Sequence, residues 1–331
     1  MSDGPRGDQS ATLQTGQRVG GMGPGELIQA LAIARRYYLH GDSKLDIAQR
    51  FGISRFKVAR ILDACLAQGL VRVEIQAPAQ IDVELSEAVR TQFDLRQAVV
   101  VRALDQEPEP LREALGQVAA DLLTEMVTES DVLGVGWGRT VNATVRHLRT
   151  LAPCSVVQLT GVVGEPGLNA VDVVRSVAGR SGGPVFPLYA PMVVSNAETA
   201  RALGNEPAVR DTVRHYDSVT VAAVSIGSWD PIDSILHDGI APRERTRLRR
   251  SGVRAEVCAV LFGQGGEVLA PEFSDRCLSV TAAQLAAIPN VLAIAGGARK
   301  ANAIRAVLSS GLVKTLVTDS SVAHALVDES G

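Results

Sequence analysis

The sequence predicts an α/β protein in two parts: a short helical module closed by a strand near its start, and a large open parallel sheet behind it. Three observations carry that prediction. Apolar residues make up 46% of the 331 residues and aromatics only 4%, so the core is built from Val, Ile, Leu and Ala, as in parallel strands covered by helices. Beyond residue 80, short apolar runs alternate with stretches of helical period, the pattern of βαβ units. Charge is unevenly placed, because residues 25–78 hold eight Lys and Arg against five Asp and Glu, in a chain whose net charge is −3. A basic module is thus joined to an acidic body. The expected organisation is a disordered tail over 1–24, rich in Gly, Ser, Gln and Asp, a small domain over 25–78 and a large one over 79–331.

In the small domain, a helical pattern from Glu26 to His40 runs through Ile28, Leu31, Ala32, Tyr38 and Leu39, and Gly41 ends it. A second helix, Lys44 to about Phe51, turns Leu45, Ile47, Ala48 and Phe51 inward. The small Ala48 lets two helices approach, and Gly52 suits the positive φ of a tight turn. Ser54 stands where an N-cap belongs. The third helix carries Val58, Ile61, Leu62, Cys65 and Leu66 at the spacing of one apolar face. Gly69 ends it, the run from Leu70 to Ile75 alternates as a strand would, and Pro78 closes the module.

These elements in this order describe a winged helix-turn-helix, whose third helix enters the major groove of DNA. Phe56 and Arg60 lie opposite the apolar stripe, flanked by Lys57 and Asp63. Arg60 suits guanine O6 and N7, and Phe56 suits a thymine methyl. Ser54, Arg55 and Lys57 open the helix, where hydroxyl, cations and unpaired N–H groups fit phosphates; Lys44, opening the preceding helix, joins that set. The alternative is a helical hairpin with a solvated charged face. Against it stand an outward Phe56, the Ala48/Gly52/Ser54 turn and the strand that follows.

In the large domain, candidate strands fall at 98–102, 132–136, 155–160, 185–189, 218–226, 257–262, 291–295 and 315–318. Candidate helices fall at 110–128, 139–149, 169–179, 205–215, 281–288, 298–309 and 320–328. Gly134-Val-Gly-Trp-Gly-Arg-Thr140 follows a strand and opens a helix. Gly136 and Gly138 let backbone N–H groups approach an anion at the positive helix start, with Arg139, Thr140 and Val141 alongside. The G-x-G-x-G spacing, and the lack of an acid closing the next strand, argue against a dinucleotide. A tight strand-to-helix turn without a ligand is the alternative. Ala295-Gly-Gly-Ala-Arg-Lys300 repeats the logic, since Arg299 and Lys300 in a first helical turn oppose the helix dipole unless an anion is bound. Gln158 and Asp319 close strands on the edge where open α/β sheets take ligands. Asp275 can accept hydrogen bonds from the hydroxyls of a ligand, or is a solvated loop aspartate.

Cys65, Cys154, Cys258 and Cys277 form no C-x-x-C pair, and the five histidines have no metal-ligand spacing. No disulfide framework, metal or cofactor is expected. With no apolar leader and no run of membrane-spanning length, a cytoplasmic protein is expected.

Tyr37-Tyr38, Asp46-Ile-Ala-Gln-Arg-Phe-Gly-Ile-Ser-Arg55, Val58-Ala-Arg-Ile-Leu62 and Gly69-Leu-Val-Arg-Val-Glu-Ile75 resemble the winged helix of the SorC-type, DeoR-like, sugar-responsive transcriptional regulators. Gly134–Val141, Val157–Gly161, Leu188–Pro191, Phe273–Asp275, Ala295–Lys300 and Leu316–Asp319 are similar to landmarks of that family's effector domain. The resemblance covers nearly all of the chain after residue 25. It implies a Rossmann-like open parallel sheet of the sugar-phosphate isomerase and deaminase type, an effector-binding role for the lysine at position 300, an acidic residue near position 275, and dimers or tetramers. The expected function is regulation of an operator by a sugar, polyol or sugar phosphate held by Gly136, Gly138, Arg139, Thr140, Val141, Gln158, Asp275 and Lys300. An isomerase-like enzyme with Asp275 as base is the runner-up. A purely structural oligomerisation domain is a third reading, at odds with the two Gly-rich turns.

Overall fold

The computed structural model describes residues 22–72, 80–103, 105–163 and 170–328. The chain forms two compact units, divided between Gln76 and Ala77. Of the expected tail, residues 1–21 lie outside the described residues, as do the segment 73–75 of the wing and Pro78; Pro24, expected in the tail, opens the first helix, and residues 70–72 carry no strand.

The first unit holds α1 (Pro24–His40), α2 (Lys44–Phe51) and α3 (Arg55–Ala67). Gly41 and Gly52 end the first two helices in the left-handed conformation, at φ 71° and 64°. Ala30, Ile33 and Ala34 of α1 pack with Ile47, Ala48, Val58, Leu62 and Cys65. The inward face of α1 is therefore not the one expected: Ile28, Leu31, Tyr38 and Leu39 are exposed. α1 is apolar nearly all round, and the face with two alanines is the one that admits a neighbouring helix closely. Leu45 and Leu66, also expected inside, are exposed.

The second unit opens with α4 (Val83–Gln92), β1 (Gln97–Val101), α5 (Pro108–Met126), β2 (Val132–Val135), α6 (Arg139–His147), β3 (Ser155–Gln158), α7 (Ala170–Ser181) and β4 (Val185–Phe186). After α8 (Ala197–Asn205) and α9 (Pro207–Val213) comes β5 (Val221–Ser225). A small insertion follows: β6 (Gly227–Trp229), β7 (Ile232–Asp233), α10 (Ile235–Gly239), α11 (Pro242–Arg250), β8 (Ala255–Val257), β9 (Val260–Phe262), β10 (Val268–Leu269) and α12 (Pro271–Ser274). The chain closes with α13 (Ala282–Ala287), β11 (Asn290–Ile294), α14 (Ala301–Ser309), β12 (Thr315–Asp319) and α15 (Ser320–Asp328).

Seven parallel strands form one sheet in the order β1-β12-β11-β5-β2-β3-β4. The pleat divides its apolar runs between two cores. Val221, Ala223, Leu292, Ile294 and Val317 face α5, α6 and α7. Ala222, Val224, Val291, Ala293 and Leu316 face the other layer with α14 and α15. The chain travels β2, β3, β4 to one side and then returns to place β5 on the opposite flank of β2, so strand order switches between β2 and β5.

The expected single strand 257–262 is instead a hairpin, β8 and β9, turned by Cys258 and Ala259 at φ 50° and 65°. It belongs to a second, antiparallel sheet in the order β10-β9-β8-β6-β7. No described helix is long and apolar enough to cross a membrane.

Candidate functional site

Open α/β sheets take ligands outside the carboxyl ends of their strands, where the strand order switches. Here that place is the gap after Val135 and Ser225. The turn leaving β2 and the turn leaving β5 meet there, and a cleft opens between them. Gly138, Arg139 and Thr140 line it from one side, Ser225, Ile226 and Gly227 from another, and Lys300 closes it from the turn after β11. The small antiparallel sheet covers the remaining side with Asp233, Ser234 and Glu256. A second cleft, under Gly296, Gly297 and Arg299, adjoins the first and shares Arg112, Thr140, Asp233 and Lys300 with it.

Local rules explain how each turn is held. Gly138 precedes α6, and a Cβ there would lie 2.4 Å from Ser225 Oγ, so only glycine fits. The Ser225 hydroxyl accepts a hydrogen bond from Val141 N–H at 3.3 Å, which ties the start of α6 to the end of β5. At the other turn, buried Asp319 accepts from the N–H groups of Gly297 (2.6 Å), Ser321 (2.9 Å) and Val322 (3.3 Å). That carboxylate shapes the Gly296-Gly297 bend from beneath, and Gly297 has φ 96°.

The two turns carry Arg139 and Lys300 to a common partner. Arg139 Nη1 donates to Asp233 Oδ1 at 2.8 Å, and Lys300 Nζ lies 3.1 Å from Asp233 Oδ2. Lys300 Nζ also donates to the carbonyl of Ile226 at 3.1 Å. Burial lowers the Lys300 ammonium below the usual lysine range, although Asp233 pulls the other way. Burial likewise raises the Asp233 carboxyl, but Lys300, Arg139 and Arg112 outweigh it and hold the group below the usual carboxylate range. Glu256, facing Gly227 across the β6–β8 ladder, receives a hydrogen bond from Ser234 Oγ at 2.6 Å. Burial pushes its carboxyl up to about 7, against the opposing pull of Ser234 and Lys300.

Two polar groups of the lining, the Trp137 indole N–H and the Thr160 hydroxyl, are buried without a hydrogen-bond partner among the described residues. Buried polar atoms are normally paired, so these two are exceptions in the wall of the cleft.

Four of the expected residues do not line either cleft. Gly136 packs under it, where a Cβ would meet Cys258 Sγ at 3.0 Å. Val141 puts its side chain into the core and offers only its N–H. Gln158 is buried and spent on structure, donating to Thr160 O at 2.7 Å and accepting from Leu188 N–H at 3.1 Å. Asp275 is exposed at the end of α12, away from the cleft. Its place as the acid of the site is taken by Asp233 and Glu256, which sequence reasoning missed. Trp137 and Thr160 stood inside motifs that had been singled out; nothing local marked Asp233, because the strand bearing it is two residues long.

In the first unit, the Ser54 hydroxyl caps α3 by accepting from Lys57 N–H at 3.2 Å. Arg55, Lys57 and Arg60 are exposed, and Phe56 is 75% exposed, which is far from usual for so large an apolar ring. The Arg55 guanidinium lies over the Phe56 ring, 5.6 Å from its centre. Lys44 is half-buried, with its ammonium 5.5 Å from the centre of the Tyr37 ring.

A family model described as "Putative sugar-binding domain" matches residues 78–328. The transcriptional regulator LsrR of Klebsiella pneumoniae subsp. pneumoniae is 31% identical over 304 residues, covering 89% of this chain and 91% of that protein. LsrR of Enterobacter sp. (strain 638) is 30% identical over 303 residues, covering 90% and 92%. Among solved structures, the full-length sorbitol operon regulator SorC from Klebsiella pneumoniae superposes with a TM-score of 0.70 at 24% identity, over 92% of this chain and 99% of that one. A DeoR family transcriptional regulator from Listeria monocytogenes superposes with a TM-score of 0.68 at 22% identity, over 74% and 98%.

Proposed function

The chain belongs to the SorC-type family of transcriptional regulators with a sugar-binding domain, and from that premise we propose that α3 binds an operator under the control of a sugar, polyol or sugar phosphate held between the turns after β2, β5 and β11. The named relatives are regulators, not enzymes. Asp275, the base that an isomerase reading required, is exposed and does not line the cleft.

One observation carries the effector reading. Two Gly-rich strand-to-helix turns, far apart in sequence, bring Arg139, Thr140 and Lys300 to one cleft at the switch point of the sheet. The chemistry there suits a small polar molecule. Glu256 and Ser234 accept from hydroxyls, and the cations take an anion or a lone pair. In the first unit, Arg60 and Phe56 are the base-reading side chains, while Ser54, Arg55, Lys57 and Lys44 contact phosphates. One helix-turn-helix buries little surface, so two or four copies on a palindromic site follow.

Thermal unfolding of the purified chain against a panel of sugars, polyols and their phosphates tests this reading. At least one member is expected to raise the midpoint and to change operator affinity. A panel without any stabilising member would overturn the effector assignment.

A further inference from the structure

We propose that Asp233 is a built-in stand-in for an anionic group of the effector: its carboxylate bridges Arg139 and Lys300 when the cleft is empty, and a phosphate or carboxylate on the effector binds by taking its place. The inference rests on the cleft being the effector site.

The sequence sets up the problem. Cations stand at the starts of two helical segments, where they oppose the helix dipole unless an anion joins them. The anion present is the protein's own. One Asp233 oxygen serves Arg139 at 2.8 Å and the other serves Lys300 at 3.1 Å, the two-point arrangement that a phosphate offers.

Asp233 differs from the permanently structural carboxylate of the same region. Asp319 is fully buried and is held by three backbone N–H groups. The Asp233 side chain is 35% exposed, and among the described residues it has no backbone donor. It also belongs to neither cation-bearing turn. It sits on β7, a two-residue strand paired only with β6 at the edge of the small sheet. Such a hairpin can move without disturbing the seven-stranded core. Lys300, by contrast, has a second anchor of its own in the Ile226 carbonyl.

A phosphate in the same position would meet the two cations, the Thr140 hydroxyl and Arg112, which also lines both clefts. It offers more acceptor oxygens than the carboxylate it replaces. A neutral sugar has nothing with which to break the bridge. Asp233 therefore selects anionic effectors, and its release moves β7.

The test uses the full chain with inorganic phosphate, glucose 6-phosphate and glucose as probes, read by calorimetry and thermal shift. Asp233→Asn removes the competing charge while keeping the size, and is expected to tighten phosphate at least tenfold with no gain for glucose. Asp233→Glu keeps a competing carboxylate and is expected to bind phosphate as the parent does. Glu87→Gln, which removes an exposed carboxylate that lines neither cleft, adds the same net charge and is expected to leave phosphate affinity within twofold. Equal tightening by Glu87→Gln would reduce the effect to general electrostatics and overturn the proposal. If the parent responds to neutral sugars and Asp233→Asn loses that response without gaining phosphate, Asp233 is a hydroxyl acceptor and this inference falls, while the effector reading stands. Tight phosphate in Asp233→Asn, with no sugar or sugar phosphate bound by any form, would leave only an anion site and overturn both the effector reading and the stand-in role that rests on it.

Discussion

At the scale of single residues, Glu256 has the most measurable consequence. Its carboxyl titrates near 4.5 when unfolded and is pushed up to about 7 by burial in the folded chain. Between those values the unfolded chain releases a proton that the folded chain keeps. Stability therefore falls as pH rises from about 4.5 to about 7, and stays lowered above that. The loss is on the order of 3–4 kcal/mol, at about 1.4 kcal/mol for each unit. Glu256→Gln keeps an acceptor for the Ser234 hydroxyl but cannot ionise. It is expected to flatten that part of the profile and to be the more stable form at pH 8, as judged by denaturant midpoints at pH 5 and pH 8. A slope equal to the parent's would remove Glu256 as its source. Neither Glu256 nor Asp233 was legible in the sequence. Their meaning comes from a two-residue strand and from a hairpin whose turn, Cys258-Ala259, is spelled with residues that rarely adopt positive φ. Asp275 drew attention through its motif, yet the helix it follows carries it to the surface.

At the scale of elements, caps and turns were legible and helix phase was not. Gly41, Gly52 and Ser54 each act through a local backbone requirement, and each stands where that requirement places it. The phase of α1 depends on which of two apolar faces a neighbour selects, and composition cannot decide that. α3 has a narrower stripe, so its outward face was readable: Val58, Leu62 and Cys65 are buried, whereas Phe56 and Arg60 are exposed. Because these two side chains support no core packing, Phe56→Ala and Arg60→Ala are expected to leave thermal stability nearly unchanged. Arg60→Ala should weaken the preferred operator by about 1–3 kcal/mol relative to random DNA, the worth of one good base contact. Competition between specific and random duplexes measures the ratio. Uniform weakening on both would move Arg60 to the phosphate-contacting set.

At the scale of the whole molecule, the parallel sheet was legible because its buried strands leave continuous runs of Val, Ile, Leu and Ala, with switch-point turns marked by glycine. The inserted sheet was not, since strands of two or three residues carry no period. Yet the insertion supplies the acids of the cleft, so the site arises only where the inserted sheet covers the ends of the parallel strands. A regulator of this design must couple that cleft to α3, and the coupling is a free energy shared by both ligands. Whatever factor a stabilising effector applies to operator affinity, operator DNA must apply to effector affinity. Lys300 sits at the joint of the two clefts, with its side chain 14% exposed, and belongs to the second unit alone. Lys300→Met keeps the length of the chain but removes the charge that holds Asp233 and that we propose receives the effector. It is expected to bind operator as the parent does without effector, while the ratio of operator dissociation constants with and without effector falls to one. Fluorescence anisotropy on labelled operator, with and without the best ligand of the thermal panel, gives both ratios. Parent-like coupling in Lys300→Met would place the controlling contact outside the cleft, and weaker operator binding without effector would mean that Lys300 holds the DNA-competent state itself.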